Sequence, residues 1–175
     1  VMYHAVHNFC TVDLSATYLD ILKDRLYTET ADSRLRRSAQ TAMYEILDSL
    51  VRIMAPFICF TAEEVWQAMP AVEGKEASVH LADWPVMKPQ YLDSELDEKW
   101  SARLALRSDV MKALENARAA KIIGHPLDAD VTIYAEGDAY ETLKAMGDFL
   151  SDFFIVSNVE LVNDTSAAPA DALAN

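Results

Sequence analysis

Apolar residues recur at helical spacing through the first half of the chain. Leu14, Tyr18, Ile21, Leu22 and Leu26 line one face, and Leu35, Ala39, Ala42, Met43, Ile46, Leu47, Leu50, Ile53 and Met54 line a second, longer one. The second helix has to stop at Ala55, because Pro56 disfavours helical geometry in the residue before it. Thr61-Ala62-Glu63-Glu64 has the form of a capping box, with Phe60 and Val65 placed as a hydrophobic staple, so a further helix is expected from there to about Pro70. Residues 71–91 hold Gly74, Pro85 and Pro89 with no sustained period, which predicts an extended surface connection. Within it, Trp84 is expected to plug the helical core. A third long helix is expected from about Ser94, where Ser94 and Asp97 form a weaker capping box, to about Lys121, with Gly124 and Pro126 ending it. Leu96, Trp100, Leu104, Val110, Met111 and Leu114 supply its buried face.

After Gly124 the pattern changes. Val131, Ile133 and Ala135 alternate with polar or aromatic neighbours as a strand does, Asp138 to Glu141 can cap a helix through about Phe149, and Ile155-Val156 with Val159 to Val162 reads as one or two further strands. A two-stranded sheet is marginal alone, so this piece has to pack on the helices or on strands elsewhere. The fold expected is mainly α: an antiparallel helical bundle over 1–124, a small strand-helix-strand α/β subdomain over 125–163, and a disordered tail over 164–175, which is alanine-rich and lacks aromatics.

At 175 residues the chain can hold one domain with a sizeable core, or one domain and an appendage. No apolar run approaches the roughly 20 residues that cross a bilayer, so a cytoplasmic location is expected and no membrane partner. Cys10 and Cys59 stand far apart without Cys-x-x-Cys spacing, which argues against a zinc site or a disulfide framework and for buried thiols in a reducing compartment. The chain opens Val1-Met2-Tyr3 inside apparently helical sequence, as a piece of a longer protein would. Its net charge of −13 argues against a polyanion partner, because phosphate contacts need Lys and Arg. The charge is unevenly spread, however: residues 99–125 carry six basic and two acidic side chains, while 126–175 carry one and ten. A basic surface is therefore compatible with the acidic total.

Catalytic chemistry is not visible. His4 and His7 share a helix face but have no third ligand beside them in the sequence. Glu63 and Glu64 look like paired carboxylates, yet capping accounts for Glu64 and complementarity to the helix dipole for Glu63. Ile123-Gly124-His125 followed by Pro126 fits a helix stop better than a phosphate-binding motif, which would open a helix.

One stretch carries more information than the rest. Asp13-Leu14-Ser15-Ala16-Thr17-Tyr18-Leu19-Asp20-Ile21-Leu22-Lys23-Asp24-Arg25-Leu26-Tyr27, followed by Arg36-Arg37-Ser38-Ala39-Gln40-Thr41, resembles the tRNA-anticodon-binding domain of isoleucyl-tRNA synthetases. The resemblance continues through Tyr44-Glu45-Ile46-Leu47-Asp48, Ala55-Pro56-Phe57, Thr61-Ala62-Glu63-Glu64-Val65-Trp66, Ser78-Val79-His80, Trp84-Pro85 and Ala117-Arg118-Ala119-Ala120-Lys121-Ile122-Ile123-Gly124. Valyl and leucyl relatives share the helix-Ala-Pro-helix plan and the Thr-Ala-Glu-Glu-like cap. The Asp-Leu-Ser start and Lys-Asp-Arg-Leu-Tyr end of the first block are closer to the isoleucyl members.

The resemblance implies a helical bundle of the class I synthetase anticodon-binding type. Its parent enzyme would join isoleucine to its tRNA with ATP and magnesium. The His-Ile-Gly-His and Lys-Met-Ser-Lys-Ser signatures, the editing domain and the cysteine-rich zinc-binding end have no counterpart here, so this chain is expected to be inactive alone, with zinc possible only in a further C-terminal segment. The partners implied are the anticodon arm of isoleucine tRNA and the rest of the synthetase chain, not DNA. Lys23 and Arg25 near one helix end, with Arg34, Arg36 and Arg37 near the start of the next, would meet phosphates or loop bases; otherwise they are solvated charges paired by Asp24, Glu29 and Asp32. His80 and Trp84 could hold a splayed base, or simply pack the connection onto the bundle. Lys121 is a further candidate. On its helix Arg103, Arg107, Arg118 and Lys121 fall in the sector of the apolar residues, so a clean basic stripe is not expected and long stems would snorkel from a buried face. The reading from a different class is a helical protein-interaction or scaffold module without RNA binding, which the acidity would suit; the alternative within the class is the equivalent domain of a valyl- or leucyl-tRNA synthetase.

Overall fold

The computed structural model describes residues 2–170 and 172. Its helices are α1 (Met2–Asn8), α2 (Lys23–Tyr27), α3 (Arg34–Met54), α4 (Cys59–Ala68), α5 (Ser94–Ala119), α6 (Gly137–Lys144) and α7 (Phe149–Phe154), and its strands are β1 (Asp130–Tyr134) and β2 (Asn158–Val162). The fold is mainly α with a small α/β part, as expected. It forms two compact units: Val1–Lys23 with Asp93–Asn175, and Asp24–Leu92 between them. This division differs from the expected boundary at 124, because α5 buries its apolar face in the same core as the strands that follow it.

In the unit Asp24–Leu92, α3 begins with Ser33 as its N-cap and runs to Met54, with Ala55 as the last half-helical residue before Pro56. Its buried face agrees with the expected one in part: Ala39 is buried and Ala42, Met43, Ile46, Ile53 and Met54 are partly covered. Val51 and Ala55 are buried as well, whereas Leu35 and Leu47 are exposed and Leu50 is only partly covered. Val51 and Ala55 join Ala62, Trp66, Met69 and Val79 in one core. The predicted capping box does not form. The chain turns within Pro56-Phe57-Ile58, α4 starts at Cys59, and no side chain caps it; Thr61 therefore lies inside the helix, and Phe60, also inside it, is exposed instead of stapling the entry.

Glu63 has another role. Its carboxylate accepts from Gln67 Nε2 (2.7 Å), Ser78 Oγ (2.8 Å) and the Val79 amide (3.0 Å), fastening the connection to α4. Val79, not Trp84, is the residue the connection inserts into the core. Lys75 Nζ donates to the Trp66 and Met69 carbonyls (2.6 and 2.9 Å), covering the C-terminal end of α4 where orphan carbonyls and the helix dipole favour a cation. Arg52 pairs with Asp48 and donates through Nη1 to the Asp83 carbonyl (3.2 Å), while Lys88 pairs with Glu45.

The hydrogen bond from Gln67, followed by that from Ser78, holds the Glu63 carboxyl below its ordinary value of 4.5. A carboxyl with a lowered folded-state pKa contributes stability above its unfolded value and loses it as pH falls through the folded one. The expected result is that Glu63→Gln lowers the thermal midpoint at neutral pH, and that the gap from the unmutated chain closes as the pH drops below about 4.5. A gap independent of pH would remove the carboxylate charge from the account.

In the other unit, the helical stretch expected around Leu14 and Tyr18 is a π-helical segment, Phe9–Leu19, none of it buried; its wider rings explain why simple helical spacing fails to produce a buried face there. Leu22 is buried and Ile21 packs on the core. The N-cap of α5 is Asp93, whose carboxylate accepts from the Leu96 amide (2.9 Å), not Ser94. The stop is Lys121, not Gly124. Lys121 has a φ of 59°, its amide donates to the Arg118 carbonyl (3.0 Å) and that of Ile122 to the Ala117 carbonyl (2.9 Å), a Schellman closure. Leu96 and Leu104 are exposed, while Leu114 and Arg107 are buried. Ile123-Gly124-His125 leads into a single turn, Pro126–Asp128, in which His125 Nδ1 accepts from the Leu127 amide (3.1 Å) and Asp128 accepts from the His125 amide (2.7 Å).

Between the strands are two helices, not one. Gly147 (φ 55°) separates α6 from α7, and Ile155, at φ 57°, ends α7, so Ile155-Val156 is a helix stop and not a strand. β1 and β2 pair in parallel, Val131 opposite Val159 and Ile133 opposite Leu161. Leu114, Ala129, Leu143, Leu150, Phe153, Phe154 and Val156 form the core, and Trp100, Val110 and Met111 of α5 pack against it. The stretch expected to be disordered from 164 starts with an ordered turn: both the amide and the hydroxyl of Thr165 donate to Glu136 Oε1 (2.9 Å each). Residues 171 and 173–175 of that stretch lie outside the described residues.

Candidate nucleic-acid interface

The corner between α2 and α3 is built locally. The Thr28 amide donates to the Asp24 carbonyl (2.8 Å), the Ser33 amide to the Thr30 carbonyl (3.0 Å), and Arg36 Nη1 to the Glu29 carbonyl (2.8 Å). Arg36 is therefore half-buried and spends one donor bracing the turn. Arg34 and Arg37 are exposed on either side of it. No hydrogen bond or ion pair occupies either guanidinium among the described residues, so Asp24, Glu29 and Asp32 do not neutralise them.

The electrostatics of this turn run against helix stability. The first turn of α3 holds no acidic residue, and three arginines stand where the unsatisfied N–H groups and the macrodipole already make the potential positive. Such a placement weakens the helix slightly and concentrates a field that suits a phosphate. Tyr27, the last residue of α2, is 83% exposed. Residue-by-residue reading missed it as a site residue, although an aromatic at a helix end beside arginines is the available signal; its ring is a surface on which an unstacked base can lie.

Within this unit His80 and Trp84 do not join the corner. Lys23 closes the first unit, its Nζ 2.7 Å from Asp20 Oδ1, and Arg25 is half-buried on α2. His80 and Trp84 are exposed on the connection, Trp84 by 55%, which corrects its expected place in the core. They are tied to the far part of α3 through Arg52 and Asp83, and the fifteen residues from Arg37 to Arg52 span about 22 Å of helix axis. A cleft of about 260 Å³ near them, lined by Asp48, Arg52, Glu73, Lys75, Glu76 and Asp83 among others, is no phosphate cradle: four carboxylates face two cations already engaged.

Lys121 is exposed at the left-handed end of α5. The remaining cations of α5 are mostly committed within their own unit. Arg103 lies over the Trp100 ring (5.0 Å), Arg118 pairs with Glu115 (2.8 Å) and Lys99 with Glu95 (2.6 Å). Arg107 is buried, its Nε donating to the Phe153 carbonyl (2.8 Å) and its guanidinium 5.8 Å from that ring. Burial pushes its pKa down and the Asp20 carboxylate opposes this. Of the four cations that the helical wheel puts in the apolar sector, Arg107 is buried and Arg103 half-buried, while Arg118 and Lys121 are exposed. Among the described residues no group of three His, Cys, Asp or Glu is placed to hold a metal ion, and no helix is long and apolar enough to cross a membrane.

Comparison with known proteins adds to this geometry. An isoleucine–tRNA ligase of Moorella thermoacetica is 49% identical over 173 residues, covering 99% of this chain and 19% of that protein. One of Desulforamulus reducens is 51% identical over 173 residues, with 99% and 18% covered. One of Carboxydothermus hydrogenoformans is 53% identical over 164 residues, with 94% and 18% covered. The chain spans about a fifth of the length of these relatives. The family described as the anticodon-binding domain of tRNA ligase matches residues 1–133, and since that takes in well over half of the residues, the chain belongs to this family.

Proposed function

We propose that this chain is the part of an isoleucine–tRNA ligase that grips the anticodon arm of isoleucine tRNA, with Arg34 and Arg37 meeting its phosphates and Arg36 holding the turn that presents them. One observation carries the reading: three arginines share the first turn of a helix that holds no acidic residue there, and the two exposed ones have no partner of their own among the described residues. Charges placed against the helix dipole are accounted for by an anion brought from outside. The contribution of the domain is binding and orientation, which helps hold the acceptor end of the tRNA at a distant reaction centre. The ATP and magnesium chemistry that forms isoleucyl-tRNA in the cytoplasm, and any zinc site, belong on this reading to other parts of the parent chain.

The test is Arg34→Gln with Arg37→Gln in the full-length synthetase, titrated with isoleucine tRNA over a range of salt. Affinity is expected to fall about tenfold or more, and the log-log salt slope to flatten by roughly 0.7–0.9 for each phosphate no longer held. The thermal midpoint is expected to hold or rise, because each removed cation relieves an unfavourable interaction of about 0.3–1 kcal/mol at the helix start. A tRNA with an altered anticodon serves as control. Unchanged affinity and slope would move the RNA-binding surface to Lys121 or to His80 and Trp84; if substitutions at those positions also left RNA binding intact, the scaffold module would be favoured.

A further inference from the structure

From Ala55 to Ala62 the chain carries no charged residue, in a protein with 15 basic and 28 acidic side chains. The tight turn after α3 does not bury this stretch. Phe57 is 61% exposed, Ile58 45% and Phe60 85%, and the Cys59 thiol among them is exposed too. Single exposed apolar residues are ordinary, but two phenylalanines and an isoleucine exposed within four positions of one corner are a concentration of the kind that marks a contact surface. The patch is not a by-product of a failed helix: its backbone is held by the Phe57 and Ile58 amides donating to the Met54 carbonyl (2.9 and 3.0 Å) and the Ala62 amide to the Ile58 carbonyl (2.8 Å). Ala55 and Ala62, which flank it, are both buried in the core. The apolar side chains are thus presented outward from a fixed corner.

We propose that this corner, Phe57, Ile58 and Phe60, is the seat on which a part of the synthetase chain outside these 175 residues packs. This takes the parent named above as given and goes beyond its RNA contact. The occupant follows from length and chemistry. This chain corresponds to 19% of the Moorella thermoacetica relative, so about four fifths of such a protein is available to cover the patch. An RNA occupant does not suit it, because eight successive residues offer no cation for a phosphate. The same packing would link the position of the anticodon-binding domain to the remainder of the enzyme, since the corner joins α3, which carries Arg34 and Arg37, to α4.

Cys59 is a built-in reporter. The full-length synthetase is treated with N-ethylmaleimide, unfolded, and relabelled with an isotopically distinct maleimide, and the Cys59 peptide is quantified by mass spectrometry. With the patch covered, Cys59 is expected to react at least tenfold more slowly in the native enzyme than in the unfolded chain, without tRNA and at every protein concentration. Phe57→Ser with Phe60→Ser is expected to bring the rate back toward that of the unfolded chain. A native rate close to the unfolded one overturns the proposal. Protection that appears only when isoleucine tRNA is added assigns the patch to RNA, and protection that grows with protein concentration assigns it to a second copy; both also overturn it. Should the double variant fail to fold, the unmutated enzyme alone still decides. Failure here leaves the salt titration of the Arg34 and Arg37 variants untouched, so the two readings are separable.

Discussion

Val51→Asp is expected to unfold the unit Asp24–Leu92. Val51 is buried with Ala55, Ala62, Trp66, Met69 and Val79, and the cation beside that cluster, Lys75, is already engaged by the Trp66 and Met69 carbonyls. A carboxylate placed there is either an unpaired buried charge or a protonated acid without a hydrogen-bond partner, at a cost of several kcal/mol. The loss of the valine packing adds to it. Leu50→Asp, one position earlier, is the matched control. Leu50 is only partly covered, so its carboxylate can reach water and its effect is expected to be much smaller. Denaturant unfolding followed by the fluorescence of Trp66, the buried tryptophan of that unit, reads the difference. Equal losses for the two variants would mean that the buried face of α3 is wider than the structure shows.

Phe153→Ala is expected to cost about 3–5 kcal/mol and to lower the thermal midpoint by roughly 10 °C. The side chain is fully buried. It meets the rings of Trp100 (6.0 Å), Phe149 (6.1 Å) and Phe154 (5.1 Å), so its removal opens a cavity among neighbours that cannot all collapse into it. The Arg107 guanidinium, 5.8 Å from the ring, loses its aromatic face as well while keeping its hydrogen bond to the residue 153 carbonyl. Phe153→Leu keeps most of the volume and is expected to recover a large part of the loss. Differential scanning calorimetry of the two variants measures the difference. An alanine variant as stable as the unmutated chain would show that this cluster does not carry its unit.

Local backbone chemistry was legible wherever one residue type forces one outcome. Pro56 ended α3 at the expected place, and the alternation of Val131 and Ile133 marked β1. The arginines of the α2–α3 corner were equally visible, since a cluster of like charges at a helix start is a property of the sequence itself. The blocks from Asp13 onward pointed to the anticodon-binding family before any tertiary contact was known.

What periodicity could not supply was which residue of an apolar stripe is innermost. Leu47, Leu50 and Val51 all fit a helical face within its angular width, and only the packing of α4 and the insertion of Val79 single out Val51. Capping was decided the same way: Thr61 and Glu64 have the right spacing, but the turn through Phe57 and Ile58 starts the helix early and frees Glu63 to hold the connection. Ser94 lost its role to Asp93, and Gly124 to Lys121, because a cap is a geometry of the backbone that several neighbouring residues can satisfy. The fate of each charge also depended on the fold: Arg107 and Arg36 have the same chemistry as Arg34 and Arg37, yet a carbonyl 46 residues away and one seven residues away occupy the first two. The sequence by itself determined the family, the helical class and where the cations stand; tertiary structure alone decided which apolar residues are covered and which arginines stay available, because burial and pairing depend on atoms far apart in the chain.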